Sequence, residues 1–196
     1  MRSDFDIIQS YITDRSCVLD LGCGDGALLA TLAQNKRISG YGLEINPEYI
    51  TACIAKGVDV IEQNIDSGLA NFADNSFDLV VMTQTLQAIQ RPDIVLEEML
   101  RVGKECVVTF PNFGHWKARF YLLFRGRMPI SDTMPYEWYD TPNIHLCTVH
   151  DFENLCRQRN INILHRQVIS DGCSDSVFKA IKPNIFGETA IYHLSK

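Results

Sequence analysis

From the amino end, short apolar runs alternate with stretches of helical spacing, and this alternation sets the expected fold. Asp6 to Asp14 predicts a leading helix, and Ser16 to Leu21 reads as the first strand. Ala27 opens a helix that runs to Asn35, and Ser39 to Leu43 forms the second strand. Asn46-Pro47-Glu48 starts the next helix, with Asn46 as cap and Pro47 in a first turn that has no use for its missing N–H. Val58 to Gln63 is the third strand. Ser76 to Met82 is the fourth, apolar enough to be buried on both faces. Pro92 to Val102 has helical spacing with Gly103 past its end, and Glu105 to Phe110 is the fifth strand. A helix capped by Thr148 runs through Cys156, and strands at Ile161 to Ile169 and Ala190 to Leu194 close the sheet as an antiparallel pair. The pattern predicts an α/β, doubly wound, Rossmann-like fold: a mostly parallel seven-stranded sheet with helices on both faces. It reads as one domain over 1–196, with an aromatic-rich insertion at 111–147 and a 170–188 loop long enough to be mobile.

In such sheets a ligand sits outside the carboxyl ends of the strands, where the strand order reverses. The most informative residues stand there. Val18 to Gly26 reads Val-Leu-Asp-Leu-Gly-Cys-Gly-Asp-Gly: a buried strand followed by a tight turn on Gly22, Cys23, Gly24 and Gly26. Glycines let backbone N–H groups approach a ligand without a Cβ between them. Gly22, Gly24 and Ala27 also satisfy the dinucleotide pattern, so the turn alone does not choose the ligand. Asp20 does. A carboxylate two residues before the first glycine repels a pyrophosphate but suits the α-ammonium of S-adenosylmethionine. Glu44, about twenty residues after the glycines, can accept both ribose hydroxyls, with Ile45 beside it. The run resembles the first motif and following acid of the class I S-adenosylmethionine-dependent methyltransferases. The resemblance implies that S-adenosylmethionine or S-adenosylhomocysteine is bound, with Asn64 and Ile65 meeting the adenine and Gln84 in the loop after the fourth strand. Asn64 stands where the family usually has an acid; Asp66 is the alternative.

Thr83 to Gln87, where many such enzymes place catalytic groups, holds hydroxyls and amides that cannot take a proton at neutral pH. Candidate catalytic groups are then His115, Tyr139 and His145, all in the aromatic insertion. His145, Cys147 and His150 have the wrong spacing for a closed zinc site, and no metal is expected.

Composition narrows the class further. A net charge of -6 disfavours nucleic acid as a partner. No signal-type segment opens the chain, and no apolar run approaches a membrane span. Seven scattered cysteines without a Cys-x-x-Cys point to reduced thiols and a cytoplasmic protein.

The segment 111–147 is too apolar for a solvated loop. It could close over the ligand, cover the sheet's open end, pack locally as core, or present Tyr136, Trp138 and Tyr139 to another protein. Lys117, Arg119, Arg125 and Arg127 read as the wet face of a helix, as a clamp for an anion, or as contacts to an acidic partner. Gln84-Thr-Leu-Gln87, Pro111-Asn-Phe-Gly-His-Trp116, Gly126-Arg-Met-Pro129 and Pro135 through Cys147 together resemble the MetW family of bacterial methionine biosynthesis proteins. This resemblance covers nearly the whole chain and is weakest after Ile169. It implies a methyltransferase-like subunit that supports a homoserine O-acyltransferase of the MetX type, which itself carries out the acyl transfer. Consistent with that, the chain has no Gly-x-Ser-x-Gly nucleophile elbow. Tyr136, Trp138, Tyr139, Arg125 and Arg127 are the expected partner contacts. The alternative is a methyltransferase acting on a small molecule, since methyl transfer needs in-line positioning more than a strong base.

Overall fold

The structure, a computed structural model, describes residues 3–170 and 181–196. Seven strands are joined in the order β3-β2-β1-β4-β5-β7-β6. They are β1 (Cys17–Leu21), β2 (Ser39–Glu44), β3 (Val60–Glu62), β4 (Phe77–Thr83), β5 (Gly103–Pro111), β6 (Asn162–Ile169) and β7 (Thr189–Ser195). The first five pair in parallel, and β7 runs antiparallel between β5 and β6. The chain winds outward from β1 through β2 to β3, then returns to β4 beside β1. The switch point therefore lies between β1 and β4.

Alternation along the strands divides the core into two layers. Leu19, Leu21, Leu43, Val80, Met82, Val108, Phe110 and Tyr192 pack with the helices α4 (Pro92–Val102) and α6 (Val149–Gln158). Val18, Leu79, Val81, Val107 and Ile191 face the other way, onto α1 (Ser3–Tyr11), α2 (Ala27–Lys36) and Cys53 of α3 (Pro47–Ala55). Side chains that alternate across a pleated strand can bury both faces only if helices cover both, and here they do.

The predicted boundaries differ from the observed ones where side chains close turns early. The leading helix ends at Tyr11 because Thr13 and Ser16 join hydroxyls at 2.7 Å and Arg15 turns left-handed at φ 65°. Val58 stays tied to α3 through its N–H on the Cys53 carbonyl at 3.0 Å, so β3 starts only at Val60. Asn46 and Thr148 cap α3 and α6 as predicted, and Asp151 completes a capping box on α6.

Inside the aromatic segment lies a helix that periodicity did not reveal, α5 (Trp116–Arg125). Its apolar residues are interrupted by Lys117, Arg119 and Arg125, the cations that sequence allowed as the wet face of a helix without setting its ends. Of the long loop, Ser170 and a helical turn at Pro183–Phe186 are seen, with Ser170 Oγ donating to the Phe186 carbonyl at 2.6 Å. The rest of that expectation, 171–180, falls outside the described residues. Among the described residues no helix is long and apolar enough to cross a membrane.

Candidate functional site

The carboxyl ends of β1, β2 and β4 meet at the glycine turn. Gly22, Gly24 and Gly26 all adopt left-handed φ, at 71°, 55° and 74°. The N–H groups of Gly22 and Cys23 donate to the Leu43 carbonyl at 2.9 and 3.0 Å, which ties the turn to β2. A Cβ on Gly22 would come within 2.7 Å of Thr85 Oγ1, so this glycine seats the β4 loop against the turn. Around Gly24 the opposite holds: nothing lies within 4 Å of where its Cβ would be. The turn is open on that side.

Glu44 ends β2 with its side chain buried. Its Oε2 accepts the Gly24 N–H at 2.9 Å, while Oε1 accepts those of Ile45 and Asn46 at 2.8 and 2.9 Å. The acid expected at a ribose is thus first a clamp on the glycine turn. Three of a carboxylate's roughly four lone-pair positions are used, leaving about one for a ligand hydroxyl. Beside it Ile45 is 58% exposed, an apolar surface offered at the end of β2.

Asp20 is 1% exposed and sits in register between Gly42 of β2 and Val81 of β4, next to the switch point. Cys23 is buried against α3, its Sγ 3.8 Å from that of Cys53. Burial, first of all, pushes both thiols up, so they stay protonated and serve packing rather than nucleophilic chemistry.

The other predicted contacts stand further out. Asn64 caps the turn Ile65–Ser67 by accepting the Asp66 N–H at 3.0 Å. Its amide N–H groups remain to meet a ligand, and Ile65 is half-buried on the core. Asp66, the alternative, accepts the Gln90 N–H at 2.9 Å. Gln84 holds a left-handed φ of 58°, and its N–H donates to the carbonyl of Thr109 at 3.0 Å. A non-glycine residue in that region is uncommon and strained, and such residues cluster at functional sites.

The three candidate catalytic groups are carried by the segment after β5 rather than by the glycine turn. No hydrogen bond among the described residues joins His115, Tyr139 or His145 to it. His115 stands at the N-terminal boundary of α5 without a side-chain cap bond, buried, with Nε2 3.9 Å from Glu188. Burial holds its imidazole below the ordinary value and outweighs the pull of Glu188, so the ring is neutral near pH 7. It lines a cavity of about 290 Å³ with Lys117, Tyr121 and Glu188. His145 is exposed, with Nε2 3.2 Å from the Gln90 carbonyl, and Tyr139 is exposed too. Among the described residues no cluster of three metal-ligating side chains forms. Of the expected partner contacts, Arg127 and Trp138 line one groove, Tyr136 and Tyr139 are exposed, and Arg125 lies 5.3 Å from the Tyr121 ring centroid.

For three residues no contact was legible in sequence: Thr85 behind Gly22, and the buried amides Gln87 and Asn112. Their partners lie far along the chain, so spacing carried no signal.

A family model described as methionine biosynthesis protein MetW matches residues 2–194. The chain belongs to the MetW family. It is also 33% identical, over 198 aligned positions, to the bifunctional methionine biosynthesis protein MetXA/MetW of Rhodopirellula baltica. That match takes in 96% of this chain but 32% of the relative, so the chain spans about a third of the longer protein. Solved structures place the MetW chain among class I methyltransferase-like folds. An S-adenosylmethionine-dependent methyltransferase from Mesorhizobium loti aligns with TM-score 0.71 at 14% identity, covering 97% of this chain and 96% of the other. A possible histamine N-methyltransferase from Thermotoga maritima gives 0.69 at 16%, with 99% and 87% covered. At these identities the likeness speaks for the fold alone.

Proposed function

We propose that this chain is an S-adenosylmethionine-binding accessory subunit that supports a homoserine O-acyltransferase of the MetX type. The observation that carries this reading is the Rhodopirellula protein, whose name joins MetXA and MetW in one chain three times as long. A covalent link holds two parts at high effective concentration, which is of use when they work in contact.

The glycine turn fits the ligand class on two counts: the free space over Gly24, and the exposed Ile45 beside a buried acid. Asp20 would take the ammonium, Glu44 a ribose hydroxyl, Ile45 and Ile65 the faces of the adenine, and Asn64 its edge. Gly22, Cys23, Gly24 and Gly26 would shape the turn around the ligand, and Gln84 would border it. When bound, S-adenosylmethionine carries a methyl group activated by its sulfonium. The chain's own residues at the turn bind and orient, and the loop Thr83 to Gln87 offers hydroxyls and amides rather than a group to move a proton. The buried nonpolar thiols and the amide-and-hydroxyl β4 loop suit a binding pocket better than a reaction centre.

The alternative, methyl transfer to a small molecule, draws support from the methyltransferase neighbours and from neutral His115 at a cavity wall. Co-purification with the acyltransferase of the same organism, followed by homoserine acylation with and without this chain, separates the two. Acylation that depends on the chain supports the accessory reading. A fully active acyltransferase alone, with no complex formed, would overturn it and favour methyl transfer.

A further inference from the structure

Helix α5 turns its aromatic side outward. Trp116, Phe120, Leu123 and Phe124 share one face by their spacing of four, seven and eight residues. Leu123 and Phe124 are 72% and 75% exposed. The rings form a ladder: Trp116 meets Phe120 edge-on at 6.1 Å between centroids, and Phe120 stacks on Phe124 at 5.7 Å. Ala118 is the buried residue of this helix and Tyr121 is half-buried, so α5 rests on the fold by a narrow strip. Beyond its end the surface continues into a groove of about 480 Å³ walled by Tyr121, Met128, Ile130 and Trp138, the last 73% exposed. Contiguous apolar surface of this kind marks an interaction site. A ladder of four bulky side chains left in water is what an accessory subunit loses on docking.

Charge selects the occupant. Arg119, Arg125 and Arg127 lie along the helix and its end, with Lys117 already paired to Glu188 at 2.8 Å. Glu137 lines the groove, but no acid stands between Trp116 and Ser131, on a chain whose net charge is -6. A second copy docked by a two-fold axis would set these cations against themselves, which is unfavourable. A basic helix with an aromatic face also suits a lipid surface, and vesicle binding is read as a separate outcome below. The groove beside the ridge adds a pocket that a protein side chain can fill. Both features suit a protein surface with an apolar ridge-and-pocket and a carboxylate rim. Resting on the accessory reading above, we infer that the Trp116–Phe124 face of α5, with the Trp138 groove, is where the acyltransferase docks. The partner contacts expected from sequence then form the edge of this surface, and α5 its centre.

The test measures binding of the purified acyltransferase to the full chain and to two variants. Leu123→Glu/Phe124→Ser removes the centre, and both sites are exposed, so the fold is retained. Arg125→Glu/Arg127→Glu reverses the rim. The first is expected to weaken binding by about 100-fold, the loss of a central anchor pair. The second is expected to weaken it by about tenfold and flatten its salt dependence. Wild-type binding that survives in both variants overturns this surface while the accessory reading stands. No complex with the wild-type chain overturns both. Loss of a wild-type homodimer in the first variant, or of vesicle binding by the wild-type chain, with acyltransferase affinity unchanged, would assign the face to a copy or to lipid instead.

Discussion

Replacing Glu44 by glutamine separates its two duties, holding the turn and meeting a ligand. The substitution keeps the shape but puts an NH2 where one carboxylate oxygen was. Either Gly24 N–H or the pair from Ile45 and Asn46 then faces a donor, and the bonds that survive lose their charge assistance. A hydrogen bond to a charged group contributes about 1.5–3 kcal/mol and a neutral one about 1 kcal/mol. Ile45 and Asn46 are exposed, so water replaces their lost partner at little expense. Gly24 N–H is more sheltered, and it bonds the carboxylate at 2.9 Å. The expected loss is therefore near the lower end, about 2 kcal/mol for the ligand-free protein. Urea unfolding followed by circular dichroism reads this as a midpoint lowered by about 1 M. Titration with S-adenosylhomocysteine then gives affinity separately. An unchanged midpoint in the ligand-free variant would refute the clamp, and an unchanged affinity would refute the ribose contact.

Three further outcomes follow from the packing and charge. Gly22→Ala sets a methyl 2.7 Å from Thr85 Oγ1 at a left-handed φ; adding Thr85→Ala relieves the clash but not the φ. The single change is expected to lose about 2–4 kcal/mol and the pair to recover about half; melting curves that simply add would refute the contact. For His115, burial lowers the folded pKa below its ordinary 6.5, so the unfolded chain binds the proton more readily. Its contribution is complete above that value and is lost as pH falls through it, until the folded ring also protonates. His115→Asn should therefore lose less stability than wild type from about pH 8 to about pH 5; an equal or larger loss would reverse the sign argued here. Arg101 donates to the carbonyls of Phe72 and Leu69 at 2.9 and 3.0 Å and pairs with Glu98 at 2.7 Å, pinning 69–74 to α4. Arg101→Met is expected to destabilise by about 2–3 kcal/mol in urea unfolding, and a neutral result would mean that this loop is held by its apolar residues alone.

What the sequence made legible follows from how local each signal is. Asn46 with Pro47, Thr148 with Asp151, and Pro92 with Gly103 mark helix ends within a few residues, and these ends are where they were expected. The glycine turn and Glu44 were readable because strand, turn and acid form one βαβ unit. Their bond to each other was not, since a ribose role and a clamp role ask for the same acid at the same place. Gly22 against Thr85 joins positions sixty-three residues apart, and no periodicity encodes it. The aromatic segment was legible only as alternatives. Its composition left a lid, local packing and a surface for another protein open, and the structure turns Phe120, Leu123, Phe124 and Trp138 outward. Reading Lys117 through Arg127 as a wet helix face missed that the exposed face of α5 is mainly apolar. Apolar content predicts burial only when the chain buries itself; a surface meant for another molecule looks the same in sequence.

A run of direct contacts links the turn to that aromatic segment, and it makes the pocket and the outer surface jointly testable. Gly22 backs onto Thr85, whose carbonyl accepts the Ala88 N–H at 2.9 Å. Between them Gln87, 2% exposed, donates from Nε2 to the Pro111 carbonyl at 3.1 Å at the end of β5. The backbone carbonyl of Gln87 accepts the N–H groups of both Ile144 and His145, at 2.8 and 3.0 Å. Those two amides sit in the segment that carries Tyr136 to Tyr139, yet their partner belongs to the β4 loop. A ligand that holds the turn holds this loop, and opening the Ile144 and His145 bonds then requires the ligand to leave or the loop to part from Gly22. At a hundred times its dissociation constant, a ligand adds about 2.7 kcal/mol to any opening that excludes it, a slowing of up to about 100-fold in exchange. Hydrogen exchange with and without S-adenosylhomocysteine is thus expected to show protection at 140–147 as well as at 20–46. Protection confined to 20–46 would show that the segment opens independently of the pocket. Contact alone would then carry no coupling between them.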